Sequence, residues 1–333
     1  MKVADMHCDT ISEILYSKKK GEDIRTLRKN DLNIDLEKMQ KGDYLVQNFA
    51  LFVNLGKRER PFEWCMELAD TYYEELEKNQ DLIKPAFTYE DILNNQKEGK
   101  MSAVLTIEEG GVLLGNPAFL RNFYRLGVRM LTVTWNYQNE LGWPNALTPG
   151  GERTKPGVPN TESGLTPLGI EMIQEMERLG MVIDVSHLSD AGFYDVVKYT
   201  KKPFVASHSD ARAICPHIRN LTDDMIRRLA EHGGVMGMNY CPEFLDPDYM
   251  TKERAVGTID QIVQHILHIG KVGGYGCIGL GSDFDGISPH RDLKDASFMP
   301  MLEDALWKAG LGQEEIEGIF YKNVLNLYKE VWK

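Results

Sequence analysis

Residues 169–187 read GIEMIQEMERLGMVIDVSH, and two periodicities meet inside them. From Gly169 to Gly180 apolar residues recur at helical spacing and the run stops on glycine, as helix C-termini often do. From Met181 to His187 the chain is a short apolar run suited to a buried strand. A helix passing straight into a buried strand is one unit of an alternating β/α chain.

The same rhythm extends in both directions. Apolar runs that suit buried strands fall at 3–9 (VADMHCD), 44–53, 102–108 and 128–135, then at 181–187, 203–209, 234–240 and 277–284. Stretches with helical spacing lie between them, among them PFEWCMELADTYYEELEK, DDMIRRLAEHGG and IDQIVQHILHIGKVGG. Strands apolar on both faces and separated by helices imply a parallel sheet covered by helices, and eight units imply a closed (β/α)8 TIM barrel. A doubly wound open sheet is the structural alternative. The paired glycines at 110–111, 150–151, 233–234 and 273–274 sit at element ends and form no GxGxxG, so a dinucleotide site is not indicated. The 333 residues fit one barrel domain, 1–333. The segment at 145–167 follows strand four without a periodic pattern, and its length predicts a functional loop over the C-terminal mouth.

Polar residues end several of these apolar runs. His7 and Asp9 end the first, Glu108 the third, His187 the fifth, His208 the sixth and Asp283 the eighth. In a barrel these positions ring one mouth. Strand alternation predicts that His7 and Asp9 share a face with Val3, that Ala4, Met6 and Cys8 take the other places, and that Glu108 rather than Glu109 turns inward. Each residue also has a plainer reading. DVSHLSD can start a helix capped by Ser186 or Ser189, GSDFDG can be an Asp-rich turn, and Glu108 can be a solvated strand end. His265 and His268 suit one helix face, and His217, His232 and His290 suit loops or surfaces.

Imidazoles and carboxylates are costly at the ends of buried strands unless something binds them, and a metal ion is the simplest partner. Two divalent ions can be held if one carboxylate is shared. Mixed His and carboxylate ligation with open positions suits zinc in hydrolysis, with a bridging water activated and a carbonyl polarised. Asp283 is the best placed residue to protonate a leaving group.

Composition sets the outer bounds. Hydrophobic residues make up 42% and charged residues 26%, an ordinary globular mixture. A formal charge of −12 without a long basic run disfavours nucleic acid. No stretch suits a membrane span, no secretory leader is read at the N-terminus, and a cytoplasmic location is expected. Five scattered cysteines with no CxxC suggest neither a disulfide framework nor a zinc knuckle.

HCDT in the first run, IEEGG in the third, LTVTWN in the fourth, DVSH in the fifth, SHSDAR followed by RN in the sixth and GLGSDFDG in the eighth resemble the membrane (renal) dipeptidase family of amidohydrolase-like zinc peptidases. The resemblance runs in order over nearly the whole chain. It implies two Zn2+ per chain, one held by His7 and Asp9, the other by His187 and His208, with Glu108 bridging. It implies that a metal-bridging hydroxide attacks the peptide bond of a dipeptide, that Asp283 is the catalytic acid/base, and that Arg219 binds the substrate's terminal carboxylate. Tolerance of a C-terminal D-residue is a further expectation, and a homodimer is compatible with it. Where mammalian members carry a substrate-contacting histidine, this chain has Trp135, which leaves oxyanion stabilisation to the metal ions or to Asn136. The mammalian signal peptide and lipid-anchor tail find no counterpart here. Two competing readings are another amidohydrolase activity, on an N-acyl amino acid or a cyclic amide, and a metal- or peptide-binding protein without catalysis.

Overall fold

A computed structural model describes residues 1–21, 23–146 and 158–333. Among these residues nine parallel strands are formed in chain order: β1 (Val3–Asp5), β2 (Tyr44–Phe52), β3 (Ile83–Pro85), β4 (Met101–Glu108), β5 (Val128–Thr132), β6 (Val182–Asp184), β7 (Val205–Ala206), β8 (Val235–Met238) and β9 (Ile278–Leu280). Eight of them close a ring in the order β1-β2-β4-β5-β6-β7-β8-β9, with β9 returning to β1 and a seven-residue register joining β2 to β4. The expected (β/α)8 barrel is therefore present. The short β3 pairs with the start of β4 as an addition outside the ring.

The barrel has two apolar layers. Ala4, Val46, Val104, Met130, Val182, Val205 and Val235, one from each of seven ring strands, pack together inside with Met6. On β9 the matching residue is Gly279, where a Cβ would lie 2.8 Å from Val235 and 2.9 Å from Val324. The space is taken because the last helix, Asn323–Val331, packs Val324, Leu327, Tyr328 and Val331 into this inner cluster, and the Tyr328 hydroxyl donates to Asn48 Oδ1 at 2.9 Å. That helix plugs the end where the strands begin, leaving the opposite end open. The outer layer, with Val3, Leu105, Ile107, Leu131, Ile183 and Leu280, meets the surrounding helices.

The anticipated helices are in place. The first of them spans Pro61–Lys78, and the helix within the opening stretch spans Pro167–Leu179, ending on Gly180 in the left-handed region at φ 85°. Except for β4, the ring strands stop earlier than their apolar runs suggest. β1 ends at Asp5, so His7 and Asp9 lie beyond it. Val3 belongs to the outer layer and Ala4 to the inner one, which corrects the expectation that Val3, His7 and Asp9 share one strand face. The chain leaves the ladder after Asp5, and the loop, not strand alternation, turns His7 inward. Residues 147–157 of the proposed mouth loop lie outside the described residues.

Candidate metal centre and cavity

Each anticipated ligand sits at or just past the C-terminal end of a ring strand. Glu108 is the last residue of β4, and its inward face follows from Val104, which points to the same side. His7 and Asp9 follow β1, His187 follows β6, His208 follows β7 and Asp283 follows β9. Asp9 precedes the Thr10–Lys20 helix yet makes no capping bond with its side chain, which leaves the carboxylate for the mouth. His187 and Asp283 hold φ values of 68° and 57°, a left-handed backbone that costs energy in any residue but glycine. Both plainer readings survive beside the site. Ser189 does cap the Asp190–Tyr199 helix, and GSDFDG does form a turn, with Gly286 N donating to Asp283 O at 3.1 Å.

Glu108 stands between two sets of donor atoms. Its Oε2 is 3.4 Å from His7 Nε2, which also lies 3.6 Å from Asp9 Oδ2 and 3.9 Å from Asp283 Oδ1. Its Oε1 is 3.0 Å from His187 Nε2 and 3.5 Å from His208 Nε2, and those two nitrogens are 3.0 Å apart. The His7 ring nitrogens and Asp9 Oδ1 are buried with no hydrogen-bond partner. Orphaned polar atoms at this density are expensive in a protein interior unless a cation joins them. The donor set of neutral imidazole and carboxylate suits divalent metal ions of the zinc type.

A supporting layer sets how the imidazoles face. Asn136 Oδ1 lies 2.9 Å from His187 Nδ1, and Ser207 Oγ lies 2.7 Å from His208 Nδ1. The Ser207 hydroxyl donates to Asp184 Oδ2 at 2.6 Å, so its oxygen accepts the His208 proton. Asp184 also accepts from Thr132 Oγ1 and from the Ser186 and Ser207 amides. With the Nδ1 protons committed, both Nε2 lone pairs face Glu108. Asn239, on the residue after β8, donates from Nδ2 to Asp283 Oδ2 at 2.9 Å. Glu109 turns away from the centre and accepts from Gly111 N, Trp135 N and Asn139 Nδ2, thereby tying down the loop that carries Trp135 and Asn136. Cys8 also turns away, its thiol donating to Asn48 O at 3.4 Å.

Electrostatics divide the centre. Burial opposes a charge on His7, but the Glu108 and Asp9 carboxylates beside it outweigh burial and raise its pKa well above the usual histidine value. Burial, reinforced by the Arg219 and His7 charges, drives His187 and His208 well below that value. Burial also lifts Asp283 to about 7, with Asp9 and Glu108 adding and His7 opposing. Asp283 can hold or release a proton near neutrality.

Above the centre opens a cavity of about 450 Å3, lined by Asp9, Glu108, His187 and Asp283 on its floor. Trp135 and Asn136 line it too, with Trp135 set edge-on to Phe52 at 4.9 Å. Arg219 does not line this cavity. It is buried beside it, donating to His208 O at 3.1 Å and to Ser209 Oγ at 3.4 Å, with Nε unpartnered and its guanidinium carbon 5.3 Å from the Phe244 ring of the cavity wall. The structure thus gathers His7, Asp9, Glu108, His187, His208 and Asp283 at one point, and sets Arg219 one layer back.

Residues 1–333 match the family model described as membrane dipeptidase, peptidase family M19. The chain belongs to that family. Among curated relatives, Dipeptidase tcpJ of Claviceps purpurea is 30% identical over 309 residues, covering 90% of this chain and 69% of its own length. An uncharacterized dipeptidase of Schizosaccharomyces pombe is 34% identical over 309 residues, covering 89% and 71%. A crystal structure of a metallopeptidase from Rhodobacter sphaeroides, liganded with a phosphinate mimic of the dipeptide L-Ala-D-Ala, superposes with a TM-score of 0.91 at 25% identity, covering 100% of this chain and 99% of its own. In this M19 chain Asp184, Ser207 and Asn239, and the anchoring contacts of Glu109, join the residues that sequence alone singled out. Asp184 carried one signal, a carboxylate placed inside an apolar strand run.

Proposed function

We propose that this M19 chain is a zinc-dependent dipeptidase, built as one domain over residues 1–333 and working in the cytoplasm. The observation that carries the reading is Glu108, whose two oxygens face separate imidazole sets on the floor of a cavity large enough for a dipeptide. In this reading His7 and Asp9 hold one Zn2+, His187 and His208 hold the other, and Glu108 is shared. Bound zinc would supply an activated water and polarise the scissile carbonyl.

The chain's own residues supply the rest. Asp283, whose carboxyl burial lifts to about 7, donates a proton to the departing amine. Asn239 holds Asp283 Oδ2, leaving Oδ1 on the side of His7. Arg219, one layer behind the cavity wall, reads the carboxylate one residue beyond the scissile bond through its unpartnered Nε, its two terminal nitrogens being held by His208 O and Ser209 Oγ. Trp135 forms wall, and Asn136 is engaged with His187, so it orients a ligand rather than meeting an oxyanion. The relative that takes a mimic of L-Ala-D-Ala supports tolerance of a D-residue at the C-terminal position.

The test is hydrolysis of L-Ala-L-Ala and L-Ala-D-Ala by zinc-depleted protein, before and after zinc is restored. Activity lost and regained with two equivalents of zinc is expected; full turnover without metal would refute the reading. Arg219→Met should raise KM for dipeptides, and an unchanged kcat/KM would remove Arg219 from substrate binding.

A further inference from the structure

The wall of the cavity above the centre contributes three more acidic side chains, Glu13, Glu243 and Asp285, and no Lys or Arg among its described residues. Two of the three are already committed. Glu13 Oε2 pairs with Arg25 Nη1 at 2.9 Å. Asp285 accepts from Thr10 Oγ1 and from Asn33 N, each at 2.6 Å.

Glu243 is different. It has no ion pair among the described residues, and the donor that reaches it is the Cys241 thiol at 3.1 Å. A thiol is a weak donor, so it can orient a carboxylate without neutralising it. Burial keeps that thiol protonated, which holds the contact in place.

Its position gives the charge a direction. Glu243 lies on the short helix Pro242–Leu245 that follows β8. The next residue, Phe244, lines the same cavity, with its ring 5.3 Å from the Arg219 guanidinium carbon. On the dipeptidase reading above, on which this inference rests, Arg219 takes the terminal carboxylate, so Glu243 stands beside the C-terminal residue of the substrate. Phe244 offers an apolar face next to that carboxylate, the surroundings that suit an aliphatic stem ending in a cation. The cavity volume admits a dipeptide with such a side chain.

We propose that Glu243 is the specificity-determining residue of this cavity and selects dipeptides whose C-terminal residue bears a cationic side chain of the lysine or arginine type. An acidic side chain there would meet an unneutralised like charge and is disfavoured.

The experiment measures kcat/KM of the zinc-loaded full-length protein for Ala-Lys, Ala-norleucine, Ala-Ala and Ala-Glu, with the C-terminal residue in L and D form. Lysine should exceed norleucine, which keeps the four-carbon stem without the ammonium, by roughly tenfold, the size of a charge-assisted contact, and Ala-Glu should be poorest. Glu243→Gln should bring the lysine-to-norleucine ratio near one, and Glu243→Lys should invert the order of Ala-Lys and Ala-Glu. Equal constants for lysine and norleucine in the unsubstituted protein overturn the proposal without any variant, as does a ratio that Glu243→Gln leaves unchanged. Turnover of Ala-Ala with no charge preference overturns this inference alone. No turnover of any dipeptide overturns the dipeptidase reading, and this inference with it.

Discussion

Asn136 Oδ1 lies 2.9 Å from His187 Nδ1, on the far side of the ring from Glu108. The contact fixes the tautomer that offers Nε2 to a metal ion, so its loss should be read in metal affinity. Asn136→Ala is expected to weaken zinc binding by roughly 10- to 100-fold, the range for removing such a partner, while Asn136→Asp keeps an acceptor and stays nearer the starting affinity. Competition with a chromogenic chelator measures both. Unchanged affinity with a fall in kcat alone would return Asn136 to an oxyanion role.

Gly286 closes the turn below the cavity, where a Cβ would overlap Asp9 Oδ2 and come within 2.7 Å of Asp283 Oδ1. Both carboxylates sit on fixed backbone, so the overlap must be relieved by moving them. Gly286→Ala should keep the far-ultraviolet circular dichroism of the fold and lose at least about tenfold in dipeptide turnover, in line with loss of metal-site geometry. An alanine variant with full turnover and normal zinc content would show that the two side chains are not held where the glycine allows them.

The glutamate pair of IEEGG was half legible. Strand phase correctly turned Glu108 inward, because β4 alternates regularly through Val104, Leu105 and Ile107. What Glu109 does depends on Trp135 and Asn139, which lie 26 and 30 residues away, and no local pattern reports them. The same holds for Asp184, Ser207 and Asn239, whose partners belong to other strands. Eight ring strands were legible because each is an apolar run. Apart from that of β4, their ends were not, since buried loop residues such as Val185 prolong the apolar pattern past the last ladder bond. β3 escaped notice because three residues, two of them Lys84 and Pro85, carry no strand signature, and its existence rests on pairing with β4.

Glu109 also yields a prediction with a pH sign. Three donors converge on its two oxygens, so a glutamine there must turn its NH2 toward at least one of them, at a cost of about 1–3 kcal/mol. Burial pushes this carboxyl up to about 7. The folded chain therefore keeps a proton on it between the usual carboxylate range and pH 7, where the unfolded chain does not, and the stability this group contributes declines as pH rises through that window. Glutamine does not titrate, so the cost of Glu109→Gln in urea unfolding should be largest near pH 5 and shrink toward pH 8, where the unsubstituted chain has lost what its buried proton contributes. An equal cost at both pH values would show that Glu109 titrates alike in the folded and unfolded chains.

His265 was expected on a helix face and lies fully buried, with Nδ1 accepting from Ala211 N at 3.0 Å and Nε2 facing Leu245 O at 3.4 Å. The accepting nitrogen must stay unprotonated, and burial lowers the pKa to about 4. The unfolded chain takes up its proton first, near 6.5, so the stability His265 contributes is complete above that value and is lost as pH falls from 6.5 toward 4. The loss amounts to about 3 kcal/mol for a shift of this size. His290 and His217 act in the same direction, lowered to about 4 and about 3 by burial. His265→Asn keeps an acceptor for the Ala211 amide and does not titrate. Its unfolding free energy, followed by urea titration of the metal-free protein from pH 7.5 to 4.5, should fall less steeply than that of the unsubstituted chain. Parallel slopes would mean that the imidazole takes up its proton equally readily folded and unfolded, contrary to the geometry at Ala211.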